Sequence, residues 1–431
     1  MAEYKGPITV KIWGNDVGVV AWDDEIGLAS FQYYPAFLKL GLDLSPLLMP
    51  INRANGVTFS FRELAYETYR GLPGLLADSL PDRYGNRILE RWLAQQGRPR
   101  DSVTTMERLC YTGTRGMGAL EFHPPKKIEV TSNPIDLEHL IKLVGDILDD
   151  RGEFQKNLNE IDDKSLLEIV KIGTSAGGAR AKAVIAYNKK TGEIRSGQID
   201  NLEGFEHWLI KLDGVTNKEL GDPKGYGKIE YAYYKMATAC GIKMTECRLK
   251  HEHDRSHFMT KRFDRQGSKK IHMLSLCGIA HFDYNQPRSY SYEQAFEVLR
   301  KLALPYSDSE QLYRRMCFNV IARNRDDHTK NISFLMDDSG IWRLSPAYDV
   351  SYAYNPEKKW TRAHQMTINE KSEDLKKDDL LKVALNMNIK NGSKIIEQIS
   401  DTVSDWPDFA EKAGIGKTEF QAIHKFHTLM S

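Results

Sequence analysis

The sequence predicts an α+β fold of two lobes, β-rich in its N-terminal part and all-helical in its C-terminal lobe. Three observations carry that expectation. Residues 8–13 and 17–21 alternate apolar and polar side chains around the Gly14-Asn15-Asp16 turn, the pattern of a hairpin buried on one face. Two strand-like runs follow in mid-chain, Ala183-Val184-Ile185-Ala186-Tyr187 and His207-Trp208-Leu209-Ile210-Lys211-Leu212. Beyond residue 290 the apolar spacing lengthens to the helical period, giving helices at 291–302, 308–322, 376–385, 392–400 and 417–429.

Taken in order, Phe31, Tyr33, Tyr34 and Phe37 suit a further strand after the hairpin. From Gly71 to Gln96 the pattern is helical, with Leu72, Leu75, Leu76, Leu80, Ile88, Leu89 and Trp92 among charges. The glycine-rich run 111–118 lacks a strand–helix frame and reads as a loop or tight turn. Pro124-Pro125-Lys126-Lys127 and Thr131-Ser132-Asn133-Pro134 read as a linker, and a helix follows at 137–148. A second helix is expected at 227–240, with Glu230 near its start. Residues 257–265 form a strand that leaves one lobe for the next. These boundaries divide the chain into 1–125, 126–260 and 261–431.

At 431 residues the chain can bury a large core, and its 41% hydrophobic and 28% charged content is that of an ordinary globular protein. A formal net charge of +1 argues against a large nucleic-acid surface. The five cysteines form no close pair, so neither a disulfide scaffold nor a zinc site is indicated. No apolar run reaches membrane-spanning length, and residues 1–6 lack an apolar signal core. A cytoplasmic setting is expected.

The chemistry concentrates in Asn324-Arg325-Asp326-Asp327-His328-Thr329-Lys330-Asn331, followed by a hairpin that ends at Tyr348-Asp349. An Asp, an Asn five residues later and a second Asp beyond a hairpin are the parts a phosphoryl-transfer site needs. Mg2+ takes one or two protein oxygens and completes its shell with water and phosphate, so Asn331 and Asp349 suffice for metal. Asp326 is then the residue that orients a hydroxyl. Capping and turn formation are the alternative for each residue taken singly. Upstream, Gly173-Thr174-Ser175-Ala176-Gly177-Gly178-Ala179 offers small residues whose backbone N–H groups can approach phosphate oxygens, although it does not match the P-loop pattern. A lysine inside a strand, Lys211, needs a partner or an open cleft; an edge-strand lysine pointing to water is the other reading. Glu230 either pairs with Lys211 or faces solvent at its helix N-terminus. The backbone of 257–265 would bracket an adenine ring, with Phe263 beside it. The fold these parts imply is protein-kinase-like.

In these motifs the sequence resembles the HipA family, the bacterial kinase toxins of toxin–antitoxin pairs. The resemblance is carried by 173–182, Lys261-Arg262-Phe263-Asp264-Arg265, His272-Met273-Leu274-Ser275-Leu276, Ser289-Tyr290-Ser291-Tyr292-Glu293, 324–331 and Leu344-Ser345-Pro346-Ala347-Tyr348-Asp349. It covers roughly residues 170 to 355, and Gly71-Leu72-Pro73 to Leu80-Pro81-Asp82 extends it to the N-terminal module. It implies ATP- and Mg2+-dependent serine/threonine phosphorylation of a protein, in known members an aminoacyl-tRNA synthetase. It also implies neutralisation by a HipB-like helix-turn-helix antitoxin, through which operator DNA is reached. By resemblance Asp326 and His328 are catalytic, Asn331 and Asp349 hold metal, and Ser175 is phosphorylated by the kinase itself. Thr174, Ser175, Ala176, Gly177, Gly178, Lys211, Lys261, Phe263 and Lys330 would hold the nucleotide. Two departures stand out: Ala176 and Ala181 occupy positions where prolines are common, and Arg325 replaces a small residue before the Asp. Two rival functions come from other classes, a catalytically silent component of an antitoxin–operator complex and a small-molecule or lipid kinase.

Overall fold

The computed structural model describes residues 4, 6–81, 83–95, 97–99, 102–126, 134–148, 181–198, 202–215 and 225–430. The chain divides into two compact units: Met1–Leu42, Ile51–Gly227 and Arg248–His272 make the first, and Asp43–Pro50, Lys228–Cys247 and Met273–Ser431 the second.

The first unit opens with the expected hairpin, β1 (Ile8–Ile12) and β2 (Asn15–Asp23), closed by Trp13 and Gly14 at positive φ. Left-handed backbone at both turn residues matches the strand twist, which is why so short a turn suffices. β3 (Leu28–Tyr33), β4 (Thr58–Phe59) and β5 (Leu120–His123) complete a sheet in the order β4-β3-β2-β1-β5. The aromatic run splits, because Pro35 opens a short helix, Pro35–Leu38, and only Phe31 and Tyr33 lie in the strand. The 71–96 stretch is likewise two helices, Gly74–Ala77 and Arg83–Gln95, interrupted at Pro81. Proline lacks the N–H that a continuous helix would need there.

A second sheet has the order β7-β6-β8-β10-β9, from β6 (Lys182–Tyr187), β7 (Ile194–Ser196), β8 (Glu206–Lys211), β9 (Cys247–Glu252) and β10 (Arg255–Lys261). Side chains alternate across it. Trp208 and Ile210 face a core shared with Ile88, Leu89, Trp92 and Ile141, while the intervening residues of β8 stay half-buried on the opposite face.

The second unit is mainly helical: Lys228–Ala239 continues a helix that starts at Tyr226, and helices Tyr292–Lys301, Tyr306–Ile321, Lys377–Asn386, Gly392–Ser404, Trp406–Lys412 and Lys417–His424 follow. The family-like run at 289–293 is the start of one of them, with Ser291 and Gln294 forming a reciprocal cap. A three-stranded sheet of β13 (His272–Ser275), β14 (Ser333–Met336) and β15 (Trp342–Leu344) is set among the helices; its β14–β15 hairpin is the one expected after residues 324–331. β11 (Arg265–Gln266) and β12 (Lys269–Lys270) form a small separate ribbon in the first unit.

Candidate active site

In the second unit, helix Tyr306–Ile321 ends at Ala322, and the chain turns sharply at Arg323, where φ is +59°. The residues that follow, Asp326 to Asn331, are held by bonds that do not depend on regular structure. Asn331 Nδ2 donates to the Asp326 carbonyl at 2.8 Å and closes the loop on itself. Thr329 Oγ1 donates to Phe282 O at 2.6 Å. Tyr348 Oη donates to Lys330 O at 2.6 Å, tying the end of the β14–β15 hairpin to the loop one residue before Asn331. Asp349 comes next, at φ +56°, a left-handed conformation that a non-glycine residue holds only where its surroundings fix it. The structure therefore assembles Asp326, Lys330, Asn331 and the Tyr348-Asp349 step into one frame.

The two neighbouring aspartates differ in role. Asp327 is 4% exposed and accepts from Tyr292 Oη at 2.9 Å, His364 Nδ1 at 2.8 Å and the Gln365 N–H at 2.8 Å. Burial, then the Asp327 charge, pushes the Tyr292 phenol well up, so it remains a donor. Asp327 thus anchors the loop to residues 35–38 positions away, with no motif to announce them. Asp326 stays half-buried, and its Oδ1 accepts from the Trp360 indole N–H at 3.2 Å. His328 stands 5.5 Å from the Tyr284 ring, and its buried Nδ1 has no hydrogen-bond partner among the described residues. The Lys330 ammonium lies 5.4 Å from the same ring. The Arg325 guanidinium lies 4.5 Å from the Tyr354 ring, with Arg323 5.3 Å from it. The arginine that departs from the family pattern is thereby turned to a stacking contact.

The first unit holds the other predicted residues. β8 is a central strand, so the edge-strand reading of Lys211 is overturned. Lys211 pairs in register with Lys182 on one side and Phe258 on the other, its ammonium 5.8 Å from the Phe258 ring. Lys182 is only 3% exposed, and sequence reasoning missed it; its place directly after a glycine-rich run was the one available signal. Directly paired residues of neighbouring antiparallel strands share a face, so Lys182 and Lys211 lie on one side of the sheet, Lys182 buried and Lys211 half-buried. The Lys261 ammonium pairs with Glu206 Oε1 at 2.6 Å, and Glu206 also meets Lys189 at 2.8 Å. Phe263 is half-buried just beyond β10. Here a cavity of about 450 Å3 opens, with Ala186, Phe205, Glu206, His207, Lys261 and Arg262 in its walls. Glu230 belongs instead to the second unit, on the helix that starts at Tyr226; it is 4% exposed, so its solvent-facing alternative fails. Thr174, Ser175, Ala176, Gly177 and Gly178 lie outside the described residues.

Between Lys261 and Arg265 the structure shows a further polar node. Asp264 is fully buried and accepts from Arg262 at 2.9 and 2.7 Å, from Arg265 at 2.8 Å and from the Gly118 N–H at 2.8 Å. Arg265 also donates to Gly116 O and Gly118 O. The glycine-rich run 111–118, expected as a loop or tight turn, is one only from Gly113 on, because Tyr111 and Thr112 close the helix Thr105–Thr112; its Gly116 and Gly118 groups dock this arginine–aspartate node.

Against protein-family models, residues 174–407 match the HipA-like C-terminal domain and residues 8–123 the HipA N-terminal domain. A curated protein of Sinorhizobium fredii (strain NBRC 101917 / NGR234), "Putative kinase Y4mE", is 28% identical over 126 residues, which cover 27% of this chain and 30% of that protein. Among solved structures, the chain is similar to one from the Shewanella oneidensis MR-1 toxin–antitoxin complex of HipA, HipB and operator DNA, with a TM-score of 0.68 at 16% identity, over 97% of this chain and 95% of that one. That likeness is one of fold.

Proposed function

The chain belongs to the HipA family, and from that premise we propose that it is an ATP- and Mg2+-dependent serine/threonine protein kinase acting as the toxin of a toxin–antitoxin pair. The observation that carries the reading is the closed loop from Asp326 to Asn331, tied through Tyr348 to the strained Asp349. Asp326, Asn331 and Asp349 supply two carboxylates and an amide in the sequence order that phosphoryl transfer uses. Incubation of the chain with labelled ATP and a cytosolic extract tests it: a labelled acceptor band is expected, and no incorporation into any protein, the chain included, overturns the reading.

Asn331 and Asp349 fit a hard cation. Because Asn331 Nδ2 is engaged with the Asp326 carbonyl, the amide turns its Oδ1 to the remaining side, and one amide oxygen with one carboxylate is what Mg2+ takes from a protein beside phosphates. When bound, Mg2+ neutralises charge on the phosphate oxygens. Asp326 orients the acceptor hydroxyl and takes its proton, with His328 beside it. Lys211, Lys182 and Lys330 supply positive charge to the phosphates, the 174–178 amides cover them, and the cavity beside Lys261 and Phe263 receives the base. Asp349→Ala is expected to weaken Mg2+-dependent ATP binding by roughly tenfold or more. Titration of ATP with and without Mg2+ checks this, and an unchanged Mg2+ dependence removes Asp349 from the metal site.

Ser175 carries the regulation. A phosphoserine adds about −1.5 to −2 charges, which repel nucleotide phosphates from the same amides. Self-phosphorylation there is expected to abolish ATP affinity; a sample shown by peptide mapping to be phosphorylated at Ser175, yet binding ATP at full affinity, refutes it.

The partners we assign are a HipB-like helix-turn-helix antitoxin and, mainly through it, operator DNA, in line with the chain's net charge of +1. The acceptor is a cytoplasmic protein, for which the family offers an aminoacyl-tRNA synthetase. Among the described residues no helix is long and apolar enough to cross a membrane.

A further inference from the structure

We propose that Trp360 is a positioning residue for Asp326, and that the loop carrying it sets the angle at which the carboxylate meets the acceptor hydroxyl. The inference rests on the kinase reading above. Four hydrogen bonds within the second unit carry it. The Trp360 indole N–H donates to Asp326 Oδ1 at 3.2 Å, which leaves Oδ2 to face the acceptor. Gln365, 3% exposed, reaches the Trp360 carbonyl and the Arg325 carbonyl (3.3 Å) with the same Nε2, so one buried amide staples the tryptophan loop to the residue directly before Asp326. The Gln365 N–H, finally, donates to Asp327 Oδ1 at 2.8 Å. The loop between Asn355 and Arg362 is itself built: Glu357 N–H donates to Asn355 Oδ1 at 2.9 Å, Lys358 N–H to Asn355 O at 3.2 Å and Arg362 N–H to Lys358 O at 3.0 Å.

A carboxylate on a half-buried side chain rotates about two bonds, and a transfer step is sensitive to that angle. A single charge-assisted donor on one oxygen removes the freedom without touching substrate. Among the described residues no other side chain donates to Asp326, so the indole is the group placed to act.

The test uses the full chain, Trp360→Phe and Asp326→Asn. Trp360→Phe keeps an aromatic ring and deletes the donor. Phosphate incorporation from labelled ATP into a cytosolic extract and the chain itself should fall roughly tenfold to a hundredfold in kcat, with KM for ATP unchanged. A fall in thermal stability with kcat preserved marks a merely structural tryptophan and overturns the inference; so does a rise in kcat, which would identify the indole as a plug. The second readout needs no activity. Of the seven tryptophan indole N–H resonances, the one that Trp360→Phe removes should move in Asp326→Asn; an unmoved resonance overturns the contact in solution. If that resonance moves but the wild-type chain transfers no phosphate at all, the kinase reading has failed, and the positioning role fails with it.

Discussion

Asp326→Ala is expected to lower the rate of phosphate transfer by about 10²–10⁴-fold while ATP still binds. The separation follows from where the contacts lie. Among the described residues the Asp326 side chain receives one hydrogen bond, from Trp360, whereas the loop's shape rests on the Asp326 carbonyl, on Thr329 and on the Tyr348 bridge, none of which the substitution removes. The neighbouring Asp327 is the opposite case, since its three donors hold the loop to Tyr292, His364 and Gln365. A rate effect with intact nucleotide affinity is thus the signature of Asp326 acting on the acceptor. The measurement pairs initial rates of labelled-phosphate incorporation with an ATP titration. Transfer at the wild-type rate would refute the assignment, and loss of ATP binding in step with the rate would move Asp326 from the acceptor to the nucleotide.

How much of this was legible in the sequence follows from the range of the contacts involved. The β1–β2 hairpin was readable because alternation is a local property, although its turn, expected at 14–16, falls at Trp13-Gly14, with Asn15 and Asp16 already paired in β2. So was the β14–β15 hairpin, whose Asp337 carboxylate caps its own turn by accepting from the Ser339 and Ile341 N–H groups. The last helix was expected to run to 429, yet it stops at His424. The reason is tertiary: Thr428 N–H donates to Ile321 O and Met430 N–H to Ser400 Oγ, which draws the segment out of helical geometry. Trp360 escaped notice because the stretch between Asp349 and Lys377 has no period to read; its partner lies 34 residues earlier. The residue types and their spacing at 326, 331 and 349 pointed to phosphoryl transfer, but nothing local could say which of the two adjacent aspartates would be buried.

Asp264→Asn should be the most destabilising of the substitutions considered. The carboxylate is wholly buried, and the arginines it faces have side chains only 2% and 6% exposed. Removing one partner of such a set leaves uncompensated buried charge and costs about 3–5 kcal/mol. For a unit of this size that corresponds to a fall in Tm of roughly 6–20 °C. The same group fixes a pH dependence. Burial alone would raise the Asp264 carboxyl; the charges of Arg262 and Arg265, with hydrogen bonds from Arg262 and the Gly118 N–H, outweigh it and hold the group well below the usual carboxylate range. A group depressed in the folded state contributes stability above its unfolded value, near 3.9, and loses it as the pH falls toward the folded value. The gap between wild type and Asp264→Asn should therefore be full at neutral pH and narrow below about pH 4, because only the wild type has a proton to gain there. Melting curves of both proteins from pH 7 to 3 read the two effects together. A gap that widens on acidification, or one under about 1 kcal/mol at pH 7, would show that the two arginines are held by their carbonyl partners at Gly116 and Gly118 rather than by this carboxylate.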